Sequence, residues 1–63
     1  MNNIQNDIEV DLKGTIWFWK DNILHNEEGP AMLTLTGVKR YYIDGLYYTE
    51  QEFIEWKLKK LLK

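Results

Sequence analysis

The chain has 63 residues, a net charge of −2 and no cysteine, which excludes more than one domain, disulfide staples and thiolate metal sites. Its single histidine is too few for a zinc site, which draws on several His or Cys ligands. A domain this short buries only roughly 60% of the surface its unfolded chain exposes, so a homodimer is the expected way to make up the shortfall.

In chain order, Ile8, Val10 and Leu12 alternate with Glu9, Asp11 and Lys13, the period-two pattern of a half-buried strand. Lys13-Gly14 turns the chain into a second strand, Thr15 to Trp19, rich in residues that favour pleated sheet. Asp21-Asn22 predicts a tight hairpin turn, because both residues tolerate positive φ. A short strand, Ile23 to His25, follows. Glu27-Glu28-Gly29-Pro30 is a loop, since proline lacks the N–H that a ladder needs. Ala31 to Thr36 alternates again, with Ala31, Leu33 and Leu35 on one face; Gly37 breaks it, and Val38 to Ile43 is the next strand. Asp44-Gly45 is the strongest hairpin signal in the chain, and Leu46 to Tyr48 closes the sheet.

The period then changes. Thr49-Glu50-Gln51-Glu52 is a capping box, and the residues beyond it suit a helix with acids early and lysines late. At about 100° per residue, Ile54, Leu58, Leu61 and Leu62 share one stripe, which is expected to lie on the sheet. Phe53 flanks that stripe, and Trp56 falls among polar residues. The expected fold is α+β in a single domain. Residues 1–6 are flexible, 7–48 form an antiparallel meander of five to six short strands, and 49–63 form one amphipathic helix packed on one sheet face.

Two segments match at a constant offset that carries Phe18 onto Tyr41. Phe18-Trp19-Lys20-Asp21-Asn22-Ile23-Leu24-His25-Asn26-Glu27 aligns with Tyr41-Tyr42-Ile43-Asp44-Gly45-Leu46-Tyr47-Tyr48-Thr49-Glu50. Each copy is one hairpin, and two side by side cover what each alone exposes. The first copy runs on into His25-Asn26-Glu27-Glu28-Gly29-Pro30-Ala31. This resembles the His-x-x-x-Gly-Pro-Ala hairpin repeats of small bacteriophage and large-virus proteins, which are similar to MORN-type repeats. The likeness spans roughly residues 17–50; the second copy departs from it, with Tyr48 in place of the histidine and a helix in place of Gly-Pro-Ala. It implies a hairpin fold and a phage origin, hence the cytoplasm of a bacterial host, and it carries no activity and no functional residue.

Candidate chemistry is sparse. His25 is the one side chain suited to acid–base work near neutral pH, but the chain has no serine and no cysteine to act as a nucleophile. A structural His25, its ring bonded to the loop backbone before Pro30, is expected instead. Glu27 and Glu28 read as a solvated acidic loop that could steer a basic partner. No catalytic, cofactor-binding or metal residues are assigned. Bases gather only at Lys57–Lys63, on a helix that also carries acids, which does not make the concentrated field that direct nucleic-acid binding requires. No apolar run approaches the roughly 20 residues of a membrane span, and the polar stretch Met1–Val10 lacks the order of a secretory signal.

The aromatic content points to binding. Three Trp, four Tyr and two Phe exceed what one helix on a small sheet covers. Alternation puts Ile16, Phe18, Tyr41 and Ile43 on one face and Trp17, Trp19 and Tyr42 on the other. The second set is either folded into a curled core, a dimer seam, or an anchor for a foreign protein, since interface hot spots favour Trp and Tyr. Trp56 is a separate candidate anchor. The expected function is a non-catalytic, phage-type inhibitor that contacts a bacterial host protein of defence or nucleic-acid processing. Alternatives are a sponge for a small nucleotide signal, with rings stacking on the base and Lys39 and Arg40 on phosphate, and a self-assembling structural module.

Overall fold

The computed structural model describes residues 6–62. Six strands, β1 (Asn6–Val10), β2 (Ile16–Lys20), β3 (Ile23–Leu24), β4 (Met32–Leu33), β5 (Lys39–Ile43) and β6 (Leu46–Tyr48), precede one helix, α1 (Glu50–Leu61). All pairings are antiparallel. The α+β expectation holds, with the helix on one face of the sheet. Of the segment expected to be flexible, residues 1–5 lie outside the described residues, and Asn6 already opens β1.

Both repeat copies turn through the same backbone geometry. Asp21 and Asn22 have φ of 52° and 66°, and Asp44 and Gly45 have 51° and 81°, so each hairpin closes on a two-residue turn with positive φ at both positions. The pairings then match copy for copy: Lys20 opposite Ile23, Ile43 opposite Leu46. At Gly45 only glycine fits, because a Cβ there would stand 2.8 Å from Ile23 Cγ2.

The sheet departs from a simple meander at one place. β2 pairs with β3 along one half and with β4 along the other, and the path runs β1-β2-β4-β5-β6. β3 and β4 are therefore two pieces of one interrupted strand lying between β2 and β5. Phe18 spans the break: its carbonyl accepts from His25 N at 3.1 Å and its N–H donates to Ala31 O at 2.8 Å. Residues 26–30 bulge out between these two bonds. Asn26 shapes the excursion, accepting from Glu28 N and donating to Pro30 O, both at 3.0 Å. β4 is also shorter than the alternation of Ala31 to Thr36 suggested. The Thr34 hydroxyl accepts from Val38 N at 3.0 Å and Gly37 N donates to Thr34 O, which bends the chain before a longer ladder forms.

α1 starts as expected. Thr49 Oγ1 accepts from Glu52 N at 3.1 Å and Glu52 Oε1 accepts from Thr49 N at 2.9 Å, completing the capping box. Its orientation is the main correction to the sequence reading. Phe53 is the buried helix residue; its ring meets Tyr41 at 4.8 Å and Trp56 at 6.0 Å. Ile54, Leu58, Leu61 and Leu62, the stripe expected on the sheet, are exposed. Two forces select this face. The Phe53 ring has a ring-lined place to go beside Tyr41, Ile43 and Tyr48, and aromatic pairing adds to plain burial. Lys57 and Lys60 are drawn across the same side to the excursion, where Lys57 Nζ donates to Glu27 O at 2.8 Å and Lys60 Nζ pairs with Glu27 Oε1 at 2.8 Å. Long lysine stems cover apolar surface while their heads reach acceptors.

The core is thin. Ala31, Tyr41, Ile43 and Phe53 are its buried apolar residues, and among the described residues no large side chain is fully enclosed. The radius of gyration is 12.4 Å, against roughly 11 Å for a compact chain of this length. The excess reflects a slab with extents of 37 × 36 × 15 Å: α1 packs on β5 and β6 and leaves the rest of that sheet face without a helix.

Candidate protein-interaction surface

The register decides which side chains share a face. Trp17 lies opposite Met32 and Met32 opposite Arg40, so Trp17, Trp19, Arg40 and Tyr42 point to one side by strand alternation. Ile16, Phe18, Leu33, Lys39, Tyr41 and Ile43 point to the other, where α1 sits. The Trp17, Trp19 and Tyr42 face is thus the helix-free face, as alternation alone implied. All three rings are half-buried. Tyr47 joins them: it is opposite Tyr42, exposed, and packs edge-on at 5.6 Å.

The indoles are held in place. Trp17 and Trp19 lie 6.5 Å apart with ring planes 26° from parallel. Trp17 Nε1 donates to Asp11 Oδ2 and Trp19 Nε1 donates to Glu9 Oε1, each at 3.1 Å. Asp11 also organises the turn before β2, its Oδ1 accepting from Lys13 N at 2.9 Å and Thr15 N at 3.0 Å. The Trp17 indole, and after it the backbone donors, hold the Asp11 carboxyl below its usual range. Asp7 and Glu9, opposite Trp19 and Trp17 on β1, complete an acidic border. Glu9 and Asp11 were not singled out from the sequence. Their signal was the placement of acids one strand away from tryptophans, in register to receive the indole N–H.

Lys39 and Arg40 are adjacent on β5 and therefore face opposite sides of the sheet. Arg40 alone stands with the rings. Trp56 keeps the polar neighbours its spacing suggested, Glu52 and Lys59, but is half-buried against Phe53, with Lys60 Nζ 5.0 Å above its ring. It forms one wall of a shallow cavity of about 540 Å³ over β6, beside Leu46, Tyr47 and Tyr48.

The acidic loop is engaged within the molecule. His25 is buried, and its Nδ1 accepts from Asp44 N at 2.9 Å rather than bonding the backbone before Pro30. That bond makes Nδ1 the unprotonated nitrogen, so Nε2 carries the proton and donates to Glu27 Oε2 at 3.2 Å. Lys60 holds the other Glu27 oxygen, and Lys57 pairs with Glu28 Oε1 at 3.2 Å. The result is a brace through the turn of the second hairpin, the strand break and the helix. Both ring nitrogens are occupied, which suits fastening rather than proton transfer.

Lys60 does most to hold the Glu27 carboxyl below its ordinary range; partial burial opposes it, and His25 adds to the lowering. A carboxyl depressed in the fold contributes stability above its unfolded pKa, and that stability is lost as pH falls through the folded value. Melting temperature should therefore drop on acidification from neutral through the carboxylate range. Glu27→Gln should lower it at neutral pH and flatten the dependence. An unchanged acid slope in that variant, followed by thermal melts at stepped pH, would remove Glu27 from the brace.

No protein-family model, no curated protein and no solved structure matches the chain.

Proposed function

We propose that this chain is a small, non-catalytic binding protein of phage type, which inhibits a bacterial host protein of defence or nucleic-acid processing by direct contact. The observation that supports this reading is the pair of near-parallel indoles on the helix-free face, each fixed by a carboxylate. A ring whose orientation is set in advance loses little entropy when a partner covers it, and Trp and Tyr are the residues that most often carry binding energy. The acids Asp7, Glu9 and Asp11 border the rings, so the complementary partner surface is apolar at its centre and basic at its edge. Steering falls to this border more than to Glu27 and Glu28, whose carboxylates are already paired to lysines.

The test is capture from bacterial lysate with wild type and with a Trp17→Ala/Trp19→Ala variant that retains its circular dichroism spectrum. A protein retained by wild type should be lost with the variant, by roughly 100-fold or more in affinity, since two central aromatic anchors are removed. Equal recovery by both baits would refute the assignment of this face. The nucleotide-sponge alternative forecasts something else, a rise in melting temperature with nucleotide alone.

A further inference from the structure

The outer edge of β1 is a second surface, and its backbone is aimed at solvent. Phe18, in the middle of β2, directs both of its backbone groups away from β1: its carbonyl accepts from His25 N and its N–H donates to Ala31 O. Ile8 is its partner in register, so Ile8 and Phe18 are a pair without mutual hydrogen bonds, and the bonded pairs are Asp7–Trp19 and Glu9–Trp17. Asp11 N, which donates to Thr15 O, continues the same alternation. The N–H and C=O of Ile8, and those of Asn6 and Val10 on either side, therefore point out of the sheet. β1 ends the sheet path, and among the described residues no strand lies beyond it. β6, at the other end, is a poorer edge. Tyr42 O accepts from Asn26 N, which turns Tyr42 away from its register partner Tyr47 and leaves Tyr47 as the one residue of β6 with both groups outward.

We infer that the β1 edge takes up an extended strand of a partner protein, antiparallel to β1, in which aliphatic residues alternate with lysine or arginine. The backbone supplies the hydrogen bonds of strand addition, and the side chains select the strand. On the helix side of the sheet Ile8 and Val10 are 65% and 63% exposed. Beside Ile8 lies a cavity of about 450 Å³, floored by Phe18 and bounded by the excursion at Glu27 and Glu28. An aliphatic side chain opposite Ile8 covers that exposed surface and leans over the cavity. On the ring-bearing face Asp7 and Glu9 are exposed, and a cation opposite each makes a favourable cross-strand pair. The same acids argue against a second copy of this chain. When β1 pairs with itself about a two-fold axis, residues of one face meet, so Asp7, Glu9 and Asp11 oppose one another in every antiparallel register. Charges on an open edge keep like strands apart, and here they favour a basic strand. Strand capture by β1 does not require the indole pair, so either surface can fail to bind without the other.

The probe is a short acetylated and amidated peptide of alternating valine and lysine, with fluorescence anisotropy for affinity and amide hydrogen exchange for location. Wild type should bind it. At saturation the amides of Ile8 and Val10 should exchange roughly 10-fold more slowly or better, while those of Asp7 and Glu9, already bonded to β2, change little. A peptide with N-methylated valines should lose roughly 10-fold or more in affinity, because the valine amides are the ones that face β1. One with N-methylated lysines should bind as before. Asp7→Lys, at an exposed position, should weaken the lysine peptide by roughly 10-fold and strengthen a valine–glutamate peptide. No binding at millimolar peptide would overturn the inference. So would equal binding of the two methylated peptides, an affinity that Asp7→Lys leaves unchanged, or protection at Tyr47 in place of Ile8 and Val10.

Discussion

His25→Ala is expected to remove about 2–3 kcal/mol of stability, a large share of the roughly 3–5 kcal/mol that a core of this size supplies. The ring is buried and joins segments far apart in the chain: it accepts from the Asp44 N–H at 2.9 Å and donates to Glu27 at 3.2 Å. Truncation leaves the Asp44 N–H without its acceptor, at a cost of about 1–3 kcal/mol for a donor out of reach of water. Glu27 simultaneously loses one of the two side-chain partners of its carboxylate, keeping Lys60. His25→Asn separates the two effects. Its amide oxygen falls near the place of Nδ1 and restores an acceptor for Asp44, but it does not reach Glu27, so it should recover about half of the loss. Urea denaturation followed by tryptophan fluorescence gives both values. A His25→Ala protein within 0.5 kcal/mol of wild type would show that the brace carries no weight.

That histidine illustrates what the sequence discloses and what it withholds. Its structural role followed from the lack of any nucleophile to work with, but its partner did not, because Asp44 approaches only when the second hairpin lies against the interrupted strand. Local signals fared better. Asp21-Asn22 and Asp44-Gly45 turn as their positive φ allows, and the Thr49–Glu52 box closes as written, since every atom involved sits within a few residues. The Trp17, Trp19 and Tyr42 face was legible because a period of two survives strand pairing. Tyr47 was readable by the same rule, once the two-residue turn places it opposite Tyr42.

The strand break at 26–30 was less accessible. Glu-Glu-Gly-Pro announces a loop, yet only the two bonds of Phe18 to His25 and Ala31 show that the chain leaves a strand and rejoins the same line. The helix face was misassigned for a related reason. Aliphatic periodicity measures which residues avoid water, and α1 has two apolar sides: one of rings at Phe53 and Trp56, one of Ile54, Leu58 and Leu61. A single protomer satisfies one of them. Rings with a matching ring to meet, and lysines with acids to reach, decide the choice, and the aliphatic side is left exposed.

Phe53→Ala tests that choice and should have the largest effect of any truncation in the helix. Phe53 is the buried residue of α1 and touches both Tyr41 and Trp56, and a buried Phe→Ala change costs about 3–5 kcal/mol. That is enough to release the helix. A free segment of 12 residues is marginal in water, so the far-ultraviolet helical signal should fall at 25 °C together with the melting transition. Leu58→Ala should change stability by less than about 0.5 kcal/mol, as expected of an exposed position. Were Leu58→Ala to cost as much as Phe53→Ala, the helix would have to sit on its aliphatic stripe rather than on its ring-bearing side.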